Sequence, residues 1–266
     1  MGFKLSKQSK IKLKNCTAIC GFPGVGNVAK VAIDYLIDAV NAKPLLELFY
    51  TKLPSSAMIE YDGLIYLPSI IFYYKKIKNK NFIFVTGSSQ PIEDSACYEL
   101  CDKILNILKL EYNCKEIVTF GGIAMSKLPN KIKVFATGND KIFIKTFPAK
   151  TKNVFEAVGA IIGMAGMLTA MAHFVNIKSV LLLAQTKHGL SYIGFNGSKE
   201  ILKIINKKYG FNIELKNLTK EAKKFENELR SSLEQAGNKH EFEQILSNIF
   251  NQGKRKNAKK DMNYFG

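Results

Sequence analysis

Residues 16–40, CTAICGFPGVGNVAKVAIDYLIDAV, constrain the fold more than any other part of the chain. They place a short apolar strand, a glycine-rich turn and an amphipathic helix in unbroken succession. Gly21, Gly24 and Gly26 allow positive φ and a sharp turn, which aims the first amides of the helix above the end of the strand. A P-loop needs G-x-x-x-x-G-K-[ST]; Gly21 and Gly26 have the spacing, but Asn27 and Val28 stand where the lysine and hydroxyl belong, which excludes it. The run from Gly24 to Ala29 does satisfy the dinucleotide pattern G-x-G-x-x-[GA], with Glu47 at about the distance of a ribose-binding acid. Glu47, however, sits inside the apolar run 45–50 and not at its end.

Hydrophobic periodicity predicts strands near 16–20, 45–50, 57–61, 64–66, 69–74, 81–86, 115–120, 132–136 and 179–184. It predicts helices near 27–42, 94–111, 154–175 and 198–208. The class is α/β. Asp62-Gly63 is a two-residue hairpin signal between two short apolar runs, so the sheet is expected to be mixed, which counts against a simple Rossmann domain.

Several of these segments carry words of one family in order: GFPGVG with its small-residue helix, LPSSAMIEYDGLIYLP, FVTGSSQPI, ACYELCDKIL, IVTFGGIA, AVGAIIGMAGMLTAMA and SVLLLAQT. Together they resemble the proteasome assembly chaperone 2 family, particularly its archaeal members, over roughly residues 15–235. The chain carries Asn27 where archaeal relatives often have an apolar residue. The resemblance implies a three-layer αβα fold with a mixed sheet, like that of nucleoside phosphorylases and peptidyl-tRNA hydrolases. It also implies a non-enzymatic, ATP-independent role on proteasome α-subunits or the core particle, performed as a homo-oligomer.

Composition sets outer limits. A chain of 266 residues with 47% apolar content can bury one large domain. The expected organisation is a basic flexible N-terminus at 1–14, an α/β domain at 15–212, a helical segment at 213–251 and a disordered basic tail at 252–266. The apolar stretch 157–172 is shorter than the roughly 20 residues a bilayer requires, and it reads as a buried helix packed through Gly159, Gly163 and Gly166. The first residues contain Lys4, Lys7, Lys10, Lys12 and Lys14 but no apolar segment of a secretory signal, so a cytoplasmic protein without membrane contact is expected.

Five cysteines, Cys16, Cys20, Cys97, Cys101 and Cys114, fit reduced buried thiols better than a disulfide framework. Both C-x-x-x-C pairs fall inside regular elements rather than metal-wrapping turns, so no zinc is expected. The net charge of +17 would ordinarily suggest nucleic acid, but only Arg230 and Arg255 are arginines, and bidentate recognition of phosphates and bases favours that residue. Charge gathered at the two ends suits steering toward an acidic partner surface instead.

A cleft could form where Gly21, Phe22, Pro23, Gly24 and Gly26 meet Gly87 and the Gly121-Gly122 pair at the ends of neighbouring strands. Such a cleft would suit a nucleoside or phosphate, which keeps an enzyme of the phosphorylase or hydrolase type as the alternative function. Tight turns that let helices approach the sheet account for the same glycines. No G-x-S-x-G, H-E-x-x-H or paired-carboxylate motif is present, and no catalytic, cofactor or metal residue is assigned. His173 reads as a core or helix-end residue, and His188 is the histidine to test for catalysis.

Beyond residue 212 the pattern becomes helical only. Leu218, Ala222, Phe225, Leu229 and Leu233 recur at helical spacing, and a capping box of Asn238 with Glu241 opens a second apolar face through Phe242, Ile245, Leu246, Ile249 and Phe250. The tail that follows ends in Tyr264, Phe265 and Gly266. In the family it resembles, a C-terminal hydrophobic residue, a tyrosine and a final residue insert between α-subunits. Here Tyr264 takes the hydrophobic place and Phe265 replaces the tyrosine, a change that removes one hydrogen bond of about 0.5–1.5 kcal/mol. Lys254, Lys256, Lys259 and Lys260 complete the expected partner-binding set.

Overall fold

The computed structural model describes residues 2–9, 11–59, 63–151, 154–187 and 193–220, apart from 217 and 219. Ten strands fall in the order β1 (Phe3–Lys7), β2 (Cys16–Gly21), β3 (Lys43–Tyr50), β4 (Met58–Ile59), β5 (Ile65–Tyr66), β6 (Ser69–Ile77), β7 (Lys80–Gly87), β8 (Glu116–Met125), β9 (Val134–Gly138) and β10 (Lys178–Lys187) among the described residues. The helices are α1 (Val28–Ala39), α2 (Asp94–Asn106), α3 (Lys141–Lys145), α4 (Val154–Ala157), α5 (Met164–Met171) and α6 (Phe195–Tyr209).

Eight strands form one sheet in the order β1-β3-β6-β7-β2-β8-β10-β9. Its middle, β7-β2-β8-β10, is parallel. β1, β3 and β6 extend one side antiparallel, and β9 closes the other side antiparallel. The parallel middle is apolar on both faces, as a doubly covered sheet must be. Ile19, Phe84, Val118 and Leu182 look toward α1 and α6. Cys20, Ile83, Val85 and Ile117 look toward α2 and α5. The result is the expected three-layer αβα sandwich.

Helix α1 forms because Ala29, Ala32, Ile33, Leu36 and Ile37 repeat at three- and four-residue spacing and are all buried. Beneath the far end of α6, Phe82 meets Tyr209 and Phe211 edge-on, at centroid separations of 5.3 and 4.7 Å.

Four expectations change. The N-terminal stretch supplies an edge strand: β1 pairs with β3 from Phe3↔Tyr50 to Lys7↔Leu46, so the α/β body begins well before residue 15. Its alternating apolar residues, Phe3 and Leu5, were masked by the lysines between them. The hairpin around Asp62-Gly63 forms a separate two-stranded sheet of β4 and β5, so the mixing of the main sheet comes from β1, β3, β6 and β9. The turn residues 60–62 lie outside the described residues. The helix expected at 154–175 is split into α4, a loop, α5 and a short 3-10 turn, because Gly163 takes φ +93°. Finally, α2 ends at Asn106 and continues as a π turn through Glu111.

Of the helical segment expected at 213–251, Ile213, Glu214 and Leu215 are irregular, Lys216, Leu218 and Lys220 are helical, and the rest lies outside the described residues together with the basic tail. Among the described residues no helix is long and apolar enough to cross a membrane.

The edge strand yields a stability prediction. Phe3 stacks on Tyr50 with ring centroids 4.3 Å apart and 11° between planes, and Tyr50 donates a 2.7 Å hydrogen bond to Glu99. Phe3→Ala should lower stability by about 1–2 kcal/mol through lost stacking and burial, read as a lower urea midpoint at unchanged slope.

Candidate functional site

At the carboxyl end of the parallel strands, the glycine turn, the loop after β7 and the loop before α5 meet. Gly21 is seated under α1: a Cβ there would stand 2.5 Å from the Ala29 carbonyl oxygen and 2.7 Å from Ile33 Cβ. Gly122 on β8 is pressed against the Val25 carbonyl, and Gly26, at φ +59°, against Thr186 Oγ1. A Cβ on Gly87 would stand 2.6 Å from Ile70 Cδ1, and one on Gly121 would stand 2.8 Å from Leu183 Cδ2. These are close helix–sheet and strand–turn approaches. Gly24 differs. Its φ of −179° is ordinary extended backbone, and Gln90 Nε2, 3.8 Å from where its Cβ would stand, is the nearest atom.

One polar side chain binds the three segments together. Gln90 Nε2 donates to the Pro23 carbonyl in the glycine turn, and Gln90 Oε1 accepts a 2.7 Å bond from the Met164 amide at the start of α5. The turn is tied further by Asn27 N to Gly24 O at 2.8 Å and Gly194 N to Gly26 O at 2.7 Å.

Below Gln90 lies a cavity of about 60 Å³. Five of the expected cleft residues line it: Phe22, Pro23, Gly24, Gly121 and Gly122. Gly21, Gly26 and Gly87 do not, since each is packed against a neighbouring element. Sequence reasoning missed Gln90, Ile161, Ile162, Ala165 and Leu183 on the remaining walls. The glycines at 159 and 163 are the signal for that wall, although in the sequence they look like helix-packing residues. Small-molecule sites typically enclose roughly 300–1,000 Å³, so a space this small takes waters and not a nucleoside.

The charged groups nearby are paired with one another. Lys30 and Asp34 form an ion pair one helical turn apart on α1, and Thr86 Oγ1 donates to Asp34 Oδ1 at 3.2 Å. The buried hydroxyls of Ser88, Ser89 and Thr186 have no hydrogen-bond partner among the described residues, and none of them lines the cavity. His173 sits exposed on the turn after α5 and does not line the cavity, while His188 and His240 lie outside the described residues.

The cysteines are free thiols, with Cys16, Cys20, Cys101 and Cys114 buried and Cys97 partly exposed. Hydrogen bonding within the Cys97–Cys101 pair holds Cys97 below the usual thiol range and, with burial, pushes Cys101 up. Burial alone pushes Cys20 up. No group of three His, Cys, Asp or Glu converges among the described residues.

Ile59, Leu64, Ile65, Tyr66 and Leu67 on or beside the β4–β5 hairpin are exposed, and Ile59 reaches 70%. Val25, Ile92 and Ile162, in the turns that meet at the carboxyl end of the parallel strands, are exposed too, with Ile162 at 95%. Exposed apolar side chains in such number are candidates for an interaction surface. The partner-binding residues expected in the tail, Lys254, Lys256, Lys259, Lys260, Tyr264, Phe265 and Gly266, lie outside the described residues.

The fold and this end together define an αβα protein with a tightly packed glycine turn beneath an apolar rim. The chain belongs to the PAC2 family, which it matches over residues 18–232. It is 28% identical to an uncharacterised protein of Methanocaldococcus jannaschii over 214 residues, covering 80% of this chain and 81% of that protein. Among solved structures it is similar to Pyrococcus furiosus PbaB, an archaeal proteasome activator, at 25% identity and TM-score 0.79, over 86% of this chain and 98% of that one. It is also similar to P. furiosus PbaA, an archaeal homologue of proteasome-assembly chaperone, at 24% identity and TM-score 0.70, covering 88% and 97%.

Two predictions follow from the packing. Gly24→Ala, which the sequence alone marks as destabilising, should leave the melting temperature nearly unchanged, whereas Gly21→Ala should cost about 1–3 kcal/mol or more by forcing α1 off β2. Differential scanning calorimetry of both variants checks the contrast. For the thiols, Ellman titration of the native protein should reach about one equivalent, from Cys97, and rise to the full count of five in denaturant.

Proposed function

We propose that this chain is an ATP-independent proteasome assembly chaperone or core-particle binder that engages proteasome α-subunits in the cytoplasm as a homo-oligomer. Membership of the PAC2 family across most of the chain carries this reading, and likeness to PbaB at TM-score 0.79 supports it. The apolar end of the sheet supports it in a second way, because a partner protein is the kind of ligand that covers several exposed aliphatic side chains at once. A nucleoside- or phosphate-binding enzyme would need a larger and more polar cleft than the one beneath Gln90.

Engagement is proposed to run partly through the tail by two separable effects. Lys254, Lys256, Lys259 and Lys260 accelerate encounter with an acidic surface, and the aromatic tip Tyr264-Phe265-Gly266 with its carboxylate holds the complex. Rim charges chiefly change association rate and salt dependence, whereas buried anchors chiefly change dissociation. Several tails on one oligomer multiply the effect of weakening each.

Surface plasmon resonance against assembled α-rings at matched salt tests both parts. Changing the four lysines to serine should slow association at low salt, and Phe265→Ala should speed dissociation. Binding that survives removal of residues 252–266 unchanged would leave the body as the whole interface. No binding by the intact chain would refute the proposal.

A further inference from the structure

The five cysteines come from three separate stretches of sequence, yet all of them meet on the α2 face of the sheet. Cys16, Cys20, Cys101 and Cys114 belong to one buried cluster, and Cys97 packs against it. Two pairs are in side-chain contact: Cys97 with Cys101, and Cys16 with Cys114. The two pairs differ in what they can do. Cys97 and Cys101 stand one turn apart on α2, where Cβ atoms are about 5–6 Å from each other. A disulfide draws its Cβ atoms to about 3.5–4.5 Å, so closing that pair requires the helix to distort.

Cys16 and Cys114 are placed differently. Cys16 opens β2 and Cys114 precedes β8, its parallel neighbour, with Thr17 opposite Glu116. Neighbouring strands lie about 4.8 Å apart and one residue adds about 3.3 Å along the strand, so the two Cα atoms come to roughly 6 Å. Disulfides bridge Cα atoms about 4.4–6.8 Å apart, most often near this value. The backbone around the pair is held in place. Lys115 N donates to Cys16 O at 3.1 Å, Cys114 N donates to Leu108 O at 2.9 Å, and Asn113 Nδ2 donates to Asn15 Oδ1 at 3.0 Å. Asn15 and Asn113 take φ of 53° and 47°, so each thiol directly follows a left-handed turn residue. Exposure is 1% at Cys16 and 0% at Cys114, but each has an exposed chain neighbour, Asn15 and Lys115. Opening these two turns is a local event at the amino end of the strands and gives a small oxidant access.

We propose that Cys16 and Cys114 form a disulfide when the reduced protein meets a hydroperoxide. The hydrogen bond between them holds Cys16 below the usual thiol range and pushes Cys114 up, which makes Cys16 the attacking thiolate and Cys114 the resolving thiol. With hydrogen peroxide, the Cys16 sulfur attacks one oxygen, the O–O bond breaks, and the other oxygen leaves with a proton as water. Sulfur is oxidised to a sulfenic acid. The Cys114 sulfur then attacks the Cys16 sulfur, the S–O bond breaks, and hydroxide leaves with the Cys114 proton as a second water. Two thiols and one peroxide thus become one disulfide and two waters. The link closes a loop that takes in β2 to β7 and α2, and long loops gain most from cross-linking. It fastens the amino end of the parallel strands, opposite the glycine turn.

The test uses the full chain with Cys97→Ser, which removes the partly exposed thiol. The reduced protein is held with millimolar hydrogen peroxide a few degrees below its melting temperature, quenched with catalase, unfolded in iodoacetamide and digested without reductant. Tandem mass spectrometry is expected to find Cys16 joined to Cys114, with Cys20 and Cys101 alkylated. Calorimetry of the oxidised protein is expected to show a melting temperature about 5–15 °C higher, returning to the starting value in dithiothreitol. Adding Cys114→Ser should abolish both results and leave Cys16 as a sulfenic acid that dimedone traps. A link between any other pair, Cys16 carried on to sulfinic acid, or every thiol still open to alkylation overturns the proposal.

Discussion

The structure depends on the missing side chains at Gly21 and Gly122. A strand that must carry a helix on its face normally keeps it about 10 Å away through a layer of side chains, and here the helix comes closer at one end. With hydrogen at Gly21, the carbonyl of Ala29 and the side chain of Ile33 rest on the strand backbone itself. With hydrogen at Gly122, the neighbouring strand β8 accepts the Val25 carbonyl in the same way. The turn between β2 and α1 is thereby pinned from two sides, and its residual extended position, Gly24, is left facing Gln90. The cavity is what remains between a pinned turn and the loop before α5.

Gln90 converts that arrangement into a single unit. Its two amide functions satisfy a carbonyl and an amide that belong to opposite faces of the sheet, one before α1 and the other at the start of α5. An amide is suited to this because it donates and accepts at once. A carboxylate there could only accept, leaving the Pro23 carbonyl without its donor. The same bridge explains why Gly163 is left-handed: the chain must reverse to present the Met164 amide to Gln90, and Gly166 makes room for Ile161 behind it.

Much of this was legible in the sequence, for identifiable reasons. The parallel strands read clearly because burial on both faces requires unbroken apolar runs such as SVLLLAQT. The element order followed from those runs, and the αβα layers from the family resemblance. β1 did not read, because an edge strand with one face in solvent tolerates lysine at alternate positions and so looks like a charged leader. The turns were under-read for another reason. Seven of the eight non-glycine residues at positive φ among the described residues are asparagines, including Asn15, Asn41, Asn113 and Asn176. Asparagine tolerates the left-handed region better than other side chains, and in this lysine- and asparagine-rich chain it takes positions where glycine would have announced a turn. The candidate site was half legible. Glycines pointed to the correct end of the sheet but not to the walls, because Ile161, Ile162 and Ala165 look like helix residues until Gly163 is seen to break the helix.

The glycine turn also shows why its motif is ambiguous. Phosphate binding and helix seating both require glycine where a backbone must come close to something, and spacing alone does not say whether that something is a ligand or the protein's own next element. Here the space is already filled: Ile33 and Ala29 occupy the position over Gly21, the Val25 carbonyl that over Gly122, and Thr186 that over Gly26. What the turn leaves exposed is aliphatic, with Val25 on its crest and Ile162 and Ile92 beside it. A rigid base carrying an apolar rim is poorly built for recognising a charged phosphate and well built for a protein surface, where fixed backbone geometry lowers the ordering cost of association. The packed glycines thereby fix the backbone that carries these exposed side chains.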